Sequence, residues 1–280
     1  MAEHRLNLPR IIWFVWFQGL DKAPYVVQKC RESWVARNPS WRVVCLDSDT
    51  LPQYTTIDYS HGNIGTLSWP HRAGLLRLDL LANHGGVWAD ATCFCVQPLN
   101  DWLPPNLRSG FFAFHRPGPD RIISSWFLAA DTGNMLVTRL LDEMLSYWRD
   151  HRLRTQQRRV IAEVLRRLLR ASPATRRLWF SHPIRDWLAV GPYHALSYGL
   201  EKLIHEDDDC ARVWRETPKL TADAPHRLNR AGLLSPVSPD LRSEIERGEV
   251  PVYKLNWWGL AGQPIPGNSV LRYLLETVHT

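Results

Sequence analysis

The run Ile11-Ile12-Trp13-Phe14-Val15-Trp16-Phe17, bounded by Pro9 and by Gln18-Gly19, constrains this chain more than any other segment. An unbroken apolar stretch without polar alternation suits a strand buried on both faces, as in a parallel sheet covered by helices. Pro24 then opens a helix that sets Val26, Val27, Cys30 and Trp34 on one side, and Asn38-Pro39 closes it. Trp41 to Asp47 returns as a second strand. Strand, helix, strand in this order is a βαβ unit.

A second crossover follows. Leu75, Leu76, Leu78, Leu80 and Leu81, with Arg77 and Asp79, predict a helix over about 70–83, which Asn83, His84 and the pair Gly85-Gly86 end by supplying positive φ. Val87, Trp88, Thr92, Cys93, Phe94 and Val96 then favour a third strand, with Asp90 in it. A buried, unpaired carboxylate costs roughly several kcal/mol. Asp90 is therefore expected at the strand end, facing a cleft and partnered by a metal or a donor; the alternative is a structural Asp capping a loop. Open α/β sheets bind ligands at the carboxyl ends of their strands, so the first, second and Asp90 strands are expected to end at one crevice.

Beyond Pro98, residues 111–115 and 124–130 read as strands and 134–170 as two long helices. The stripe Leu136, Leu140, Leu141, Met144, Leu145 and Trp148 belongs to a core rather than to a cofactor site. The expectation is one α/β domain over residues 1–280, with a sheet-bearing core in 1–132 and a mostly helical part in 133–280. With 280 residues and 45% hydrophobic content, the chain can bury such a core.

No apolar run reaches the ~18 residues that a membrane span needs, and Met1 to Asn7 lacks a signal-peptide core. Cys30, Cys45, Cys93, Cys95 and Cys210 are odd in number and lack framework spacing, which suits a reducing compartment. A cytoplasmic location is expected. Cys93 and Cys95 share one side of their strand and are read as packed thiols, not a zinc pair.

Residues 151–180 hold nine arginines (Arg152, Arg154, Arg158, Arg159, Arg166, Arg167, Arg170, Arg176 and Arg177) against Glu163 alone. Val160, Ile161, Val164, Leu165, Leu168 and Leu169 recur at helical spacing among them, making a basic amphipathic helix near 155–170. Such a helix lies on anionic lipid, binds nucleic acid, or shows a solvated face while packing on the core. No aromatic interleaving accompanies the charge, so nucleic acid is not expected. The run Glu206-Asp207-Asp208-Asp209 reads as a solvated loop. Fourteen tryptophans suit ligands with stackable faces, sugars and bases among them, although most are expected in the core.

Leu8-Pro9-Arg10-Ile11-Ile12-Trp13, Cys30-Arg31-Glu32-Ser33-Trp34, Asn38-Pro39-Ser40-Trp41, Leu75-Leu76-Arg77 and Gly85 to Thr92 occur here in series. The series resembles the capsular polysaccharide synthesis glycosyltransferases, relatives of the DXD-type sugar transferases that include the Och-type mannosyltransferases and, more distantly, the clostridial toxin glucosyltransferase domains. Ile123 to Phe127 and Pro225-His226 extend the likeness. It implies a GT-A-like fold, a Rossmann-like nucleotide-sugar-binding core in 1–132 with an acceptor-side helical elaboration in 133–280. It also implies a nucleotide-sugar donor, a divalent metal (Mn²⁺ or Mg²⁺) and retention at the anomeric carbon.

By the resemblance, Asp90 is the first acid of the motif and touches donor ribose, sugar or metal. Arg77 contacts donor sugar or phosphate or orients Asp90, its alternative being a surface ion pair. Trp16 and Gln18 belong to the segment packing on the nucleobase, unless Trp16 is a core side chain. Asn256 and Trp258 close the donor site. Thr92 stands where the wider family has a second Asp, leaving Asp90 and Thr92 as the metal ligands, and Gly74 stands where relatives often carry Asp. Asp131, Asn256 and His226 are candidate compensating ligands, His226 otherwise being structural.

The expected activity is metal-assisted transfer of a hexose from a nucleotide diphosphate to a glycan or lipid-linked acceptor in polysaccharide synthesis, with the basic helix touching the inner face of a membrane. A degenerate member that binds nucleotide sugar or glycan without turnover is the alternative. Glycoside hydrolysis ranks last, because no second acid accompanies Asp90.

Overall fold

The computed structural model describes residues 8–149, 154, 157–260 and 262–277. Arg152, the start of the basic stretch at 155–156 and the N-terminal Met1 to Asn7 lie outside the described residues.

The apolar run forms β1 (Ile11–Val15), and α1 (Tyr25–Arg37) carries the chain to β2 (Arg42–Leu46), which pairs parallel with β1 from Ile11↔Arg42 to Val15↔Leu46. The chain then crosses to the other side of β1 through α2 (Trp69–His84) and enters β3 (Gly86–Ala89), again parallel, with Trp13 opposite Trp88. A hairpin of β5 (Phe111–Gly118) and β6 (Arg121–Ala130) adds antiparallel strands, giving the sheet order β2-β1-β3-β6-β5.

Alternate side chains of these strands enter two cores. Ile12, Phe14, Val87, Ala89, Phe112, Phe114, Phe127 and Ala129 pack towards α1 and the C-terminal helix α7 (Val270–Thr277). Trp13, Val15, Trp88, Phe111, Ala113, Leu128 and Ala130 pack towards α2, α3 (Met135–Arg149) and α5 (Ala195–Glu206). The sheet is thus covered on both faces, which is why β1 is apolar without alternation. This is the mixed α/β architecture expected from the sequence. The part after residue 132 is mostly helical, yet α3 and α7 complete the same cores as the sheet.

The glycine pair is dictated by backbone geometry. Gly85 and Gly86 have φ of 65° and 94°, and a Cβ on Gly86 would sit 2.6 Å from the Ile11 carbonyl oxygen. Only glycine lets β3 turn out of α2 and lie so close to β1. Trp13 Nε1 donates to the Gly85 carbonyl at 2.8 Å, fixing the same junction.

The third strand departs from its expected course. It stops at Ala89; the Asp90 N–H donates to the Trp126 carbonyl, and a tight turn brings the Cys93 N–H to the Asp90 carbonyl. The chain resumes as β4 (Cys93–Cys95) in a separate two-stranded sheet with β7 (Val252–Lys254), antiparallel, with Cys93 opposite Lys254. Cys93 and Cys95 are buried free thiols whose pKa values burial pushes up to about 12, and both pack in the core as expected.

The basic stretch forms α4 (Arg159–Leu169). Ala162 and Leu169 are its buried positions, whereas Val160, Ile161, Val164 and Leu168 are exposed, Val160 at 78%. The apolar stripe therefore faces solvent beside the arginines instead of the core. Arg176 does not belong to that charged surface: it is buried in a bidentate pair with Glu201 at 2.6 and 2.7 Å. The acidic run begins α6 (Asp208–Glu216) rather than a loop, with Asp207 accepting from the Cys210 N–H as its N-cap.

Candidate active-site cleft

A cleft of about 1050 Å³ opens where β1 and β3 end. The chain leaves β1 for β2 on one side and reaches β3 on the other, so this is the switch point at which open α/β sheets leave room for a ligand. Trp16, Gln18, Arg77, Asp90, Thr92, Asn256 and Trp258, all singled out from the sequence, line it. Seven of the fourteen tryptophans (Trp16, Trp69, Trp88, Trp126, Trp148, Trp257 and Trp258) contribute to its walls.

Asp90 sits one residue past the end of β3, on the cleft floor as expected. Its Oδ1 accepts from Trp88 Nε1 at 2.8 Å and lies 3.4 Å from the Arg77 guanidinium. Its Oδ2 lies 3.4 Å from Lys254 Nζ. Arg77 is a buried group, not a surface ion pair: its side chain is 7% exposed and projects from α2 over the Trp88 ring. Its Nε donates to the Ala73 carbonyl at 2.9 Å and its terminal nitrogen to the Ser125 carbonyl. Burial pulls the Arg77 pKa down, and the Asp90 carboxylate opposes that pull. A buried guanidinium with two carbonyl acceptors and a facing carboxylate is satisfied and rigid.

Lys254 is the residue that sequence reasoning missed. It stands at the end of β7, its N–H donating to the Pro225 carbonyl, and its Nζ donates to Thr92 Oγ1 at 2.5 Å. The signal available was one lysine in the apolar stretch Val252-Tyr253-Lys254-Leu255. Nothing local reveals that this stretch pairs with β4.

The other candidates divide. Asn256 lines the cleft and donates to Asn229 Oδ1 at 2.6 Å. Trp258 is exposed and stacks on Trp257 at 4.1 Å, and Trp257 meets Trp16 edge-on at 5.7 Å, so the three rings form one wall. Trp16 is half-buried and lines the cleft, so it is no simple core residue. His226 lines the cleft with Nε2 accepting from Trp126 Nε1 at 3.2 Å, and burial lowers its pKa to about 4; His194 is likewise lowered to about 4. Both imidazoles are neutral at neutral pH. Asp131 is not among the residues lining the cleft; it is buried against Gly110 beyond the far end of β6. A Cβ at Gly74 would meet nothing within 4 Å, so the missing acid there leaves open space on the cleft wall.

Charge in the cleft is one-sided. Among the described residues lining it, Lys22, Arg77, Arg121 and Lys254 face a single carboxylate, Asp90. Such a surface favours an anion.

Asp90 and Thr92 were the expected ligands of a divalent cation. Mg²⁺ is commonly held by one or two carboxylates together with substrate phosphates and waters, and these two residues offer one carboxylate and one hydroxyl. The Lys254 ammonium already engages both. Among the described residues, no three His, Cys, Asp or Glu side chains converge to hold an ion. The residues present do not fit a divalent cation.

Known proteins agree with the frame drawn by this geometry. The chain is 28% identical over 167 residues to the O-glycosyltransferase braB of Annulohypoxylon truncatum, covering 52% of this chain and 39% of that protein. It is 33% identical over 103 residues to the glycosyltransferase afumC of Aspergillus fumigatus, covering 32% and 26%. The chain thus spans well under half the length of these relatives. A solved structure, PaToxG Glycosyltransferase, shares 13% identity at a TM-score of 0.42 over 80% of this chain and 84% of that one, too distant to carry weight. The capsular polysaccharide synthesis protein family matches residues 1–156, more than half of the sequence, and the chain belongs to that family.

Proposed function

We propose that this chain is a glycosyltransferase that moves a hexose from a nucleotide-diphosphate sugar to a glycan or lipid-linked acceptor, with retention at the anomeric carbon. The observation that carries the reading is the placement of Asp90 at the strand switch point, held between Arg77 and Lys254 beneath tryptophan walls. The relatives, an O-glycosyltransferase and a glycosyltransferase, point the same way.

The chemistry suits these residues. The bond from the anomeric carbon to the diphosphate oxygen breaks, and its electron pair stays on phosphate while the sugar ring becomes cationic. Fixed positive groups at the departing oxygens stabilise that charge where it develops. Arg77 and Lys254 supply it, and Asp90 holds both in place and offers its negative charge to the sugar or a ribose hydroxyl. Trp16 and Gln18 would flank the nucleobase, with Asn256 and Trp258 closing over the donor.

Retention is supported by what the cleft lacks among its described residues. Inversion needs a base for the acceptor proton on the face opposite the leaving group. Asp90 is tied to two cations, burial lowers the pKa of His71, and His194 and His226 are weak bases at a pKa of about 4. On the same face, the departing phosphate oxygen accepts that proton as the acceptor oxygen bonds to the anomeric carbon.

The lipid-linked acceptor and a contact with the inner face of a membrane are supported by α4, whose exposed apolar stripe runs beside Arg159, Arg167 and Arg170. Arg166 on that helix is near enough for its charge to act on His194 in the cleft. No helix among the described residues is long and apolar enough to cross a membrane.

One observation favours a second reading, donor binding without turnover: both Asp90 oxygens are already engaged by protein groups. A thermal-shift screen of nucleotide sugars tests the proposal, since a ligand that binds the folded state raises its stability by mass action. One nucleotide sugar should stabilise the protein, and its sugar should then appear in product or free hydrolysate. No shift and no release with any donor would remove the proposal; a shift without release would leave the second reading.

A further inference from the structure

We propose that Lys254, with Arg77, takes the place of the divalent cation, so that this cleft binds and releases a diphosphate without metal. The inference rests on reading the cleft as a nucleotide-sugar site, and it concerns the charge that meets the phosphates there.

The ammonium is 2.5 Å from Thr92 Oγ1 and 3.4 Å from Asp90 Oδ2, the two atoms expected to bind the ion. A cation is therefore already seated on them, and it is covalently part of β7. The Arg77 guanidinium, 3.4 Å from Asp90 Oδ1, supplies a second charge on the other side of the carboxylate. A divalent ion entering here would displace one ammonium contact and meet two positive groups at close range, with one carboxylate to offset all of them.

An ammonium carries three N–H donors. Thr92 and Asp90 take two, and the third remains for a phosphate oxygen. Only 17% of the Lys254 side chain is exposed, and the strand holding it is fixed by ladder pairing with Cys93 and by the bond from its N–H to Pro225. Preorganised in this way, the charge needs no rearrangement when the leaving oxygen becomes negative.

The substitution also accounts for Thr92. A second carboxylate at that position would sit against the ammonium and cancel its charge; a hydroxyl orients the ammonium by accepting one hydrogen bond and leaves its charge for the ligand. Thr92 and Lys254 are thus one device, split between β4's entry turn and β7.

Calorimetry with inorganic pyrophosphate, the part shared by nucleotide-diphosphate donors, tests this on the full chain. Pyrophosphate should bind in the presence of EDTA. Mn²⁺ alone, followed by the paramagnetic resonance signal of the free ion, should show no uptake. Lys254→Gln should weaken pyrophosphate at least tenfold, and Lys254→Arg should recover most of the loss while both variants keep the wild-type circular dichroism. Failure of pyrophosphate to bind in EDTA, Mn²⁺ uptake by the free protein, or unchanged affinity in Lys254→Gln would each overturn the inference. Its failure is separable from that of the proposed function. Nucleotide sugars that bind only with Mn²⁺ defeat the lysine and keep the transferase; pyrophosphate binding in EDTA with no nucleotide sugar bound does the reverse.

Discussion

Asp90 receives Trp88 Nε1 on one oxygen and faces a cation on each, an arrangement legible in the sequence only in part. The glycine pair, the strand residues before it and the helical arginine announced a carboxylate at a strand end. Lys254, 164 positions away, could not be announced, because its role depends on a pairing between two three-residue strands. Gly86 makes the backbone side of the site testable. Its φ of 94° and the 2.6 Å approach to Ile11 mean that Gly86→Ala should lose about 2–4 kcal/mol in urea unfolding. The cleft histidines make a pH prediction. His194 and His226 have folded pKa values lowered to about 4 from 6.5, so the unfolded chain binds protons that the folded chain refuses. Their contribution is complete above pH 6.5 and is lost as pH falls from there towards 4, by up to about 2 kcal/mol each after allowing for partial exposure. Urea unfolding at pH 7 and pH 5 should show that fall, and replacing both histidines with Gln should reduce it, the lowered pKa values of His71 and His115 leaving a remainder.

Among the elements, the strands and helices of the first third are those that pattern specifies, since β1, covered on both faces, reads as an unbroken apolar run and α1 buries one periodic face. The third strand is the exception. Propensity favours strand through Val96, but the Asp90–Cys93 turn breaks it so that one half serves the main sheet and the other pairs with β7. The helix α4 differs in another way. Its spacing promised an apolar face, and nothing in its own sequence says whether protein covers that face. Ala162 and Leu169 are covered; Val160, Ile161, Val164 and Leu168 are not. If the exposed stripe meets lipid, the full chain should co-sediment with vesicles containing phosphatidylglycerol and far less with phosphatidylcholine alone. Val164→Glu with Leu168→Glu should reduce that binding at least tenfold, because apolar insertion and attraction to anionic headgroups act together.

Taken whole, the molecule is a two-faced sheet whose switch point was implied once two crossovers left β1 in opposite directions. The residues that complete the cleft come from Trp16 to Trp258 and meet only through the tertiary fold. Hence Trp16, Gln18, Arg77, Asp90 and Asn256 could be named from the sequence, while Trp126, His194 and the cation of β7 could not be assembled with them. The central claim is that this assembly transfers a sugar from a nucleotide diphosphate. Its most direct test is turnover of the stabilising nucleotide sugar by wild type and by Asp90→Asn, with the anomeric configuration of the product read by proton resonance. The account predicts a product of the donor's own configuration and a loss of at least 100-fold in Asp90→Asn, roughly the cost of removing a charge that acts in the transition state. An inverted product, or turnover unchanged by the substitution, would contradict it.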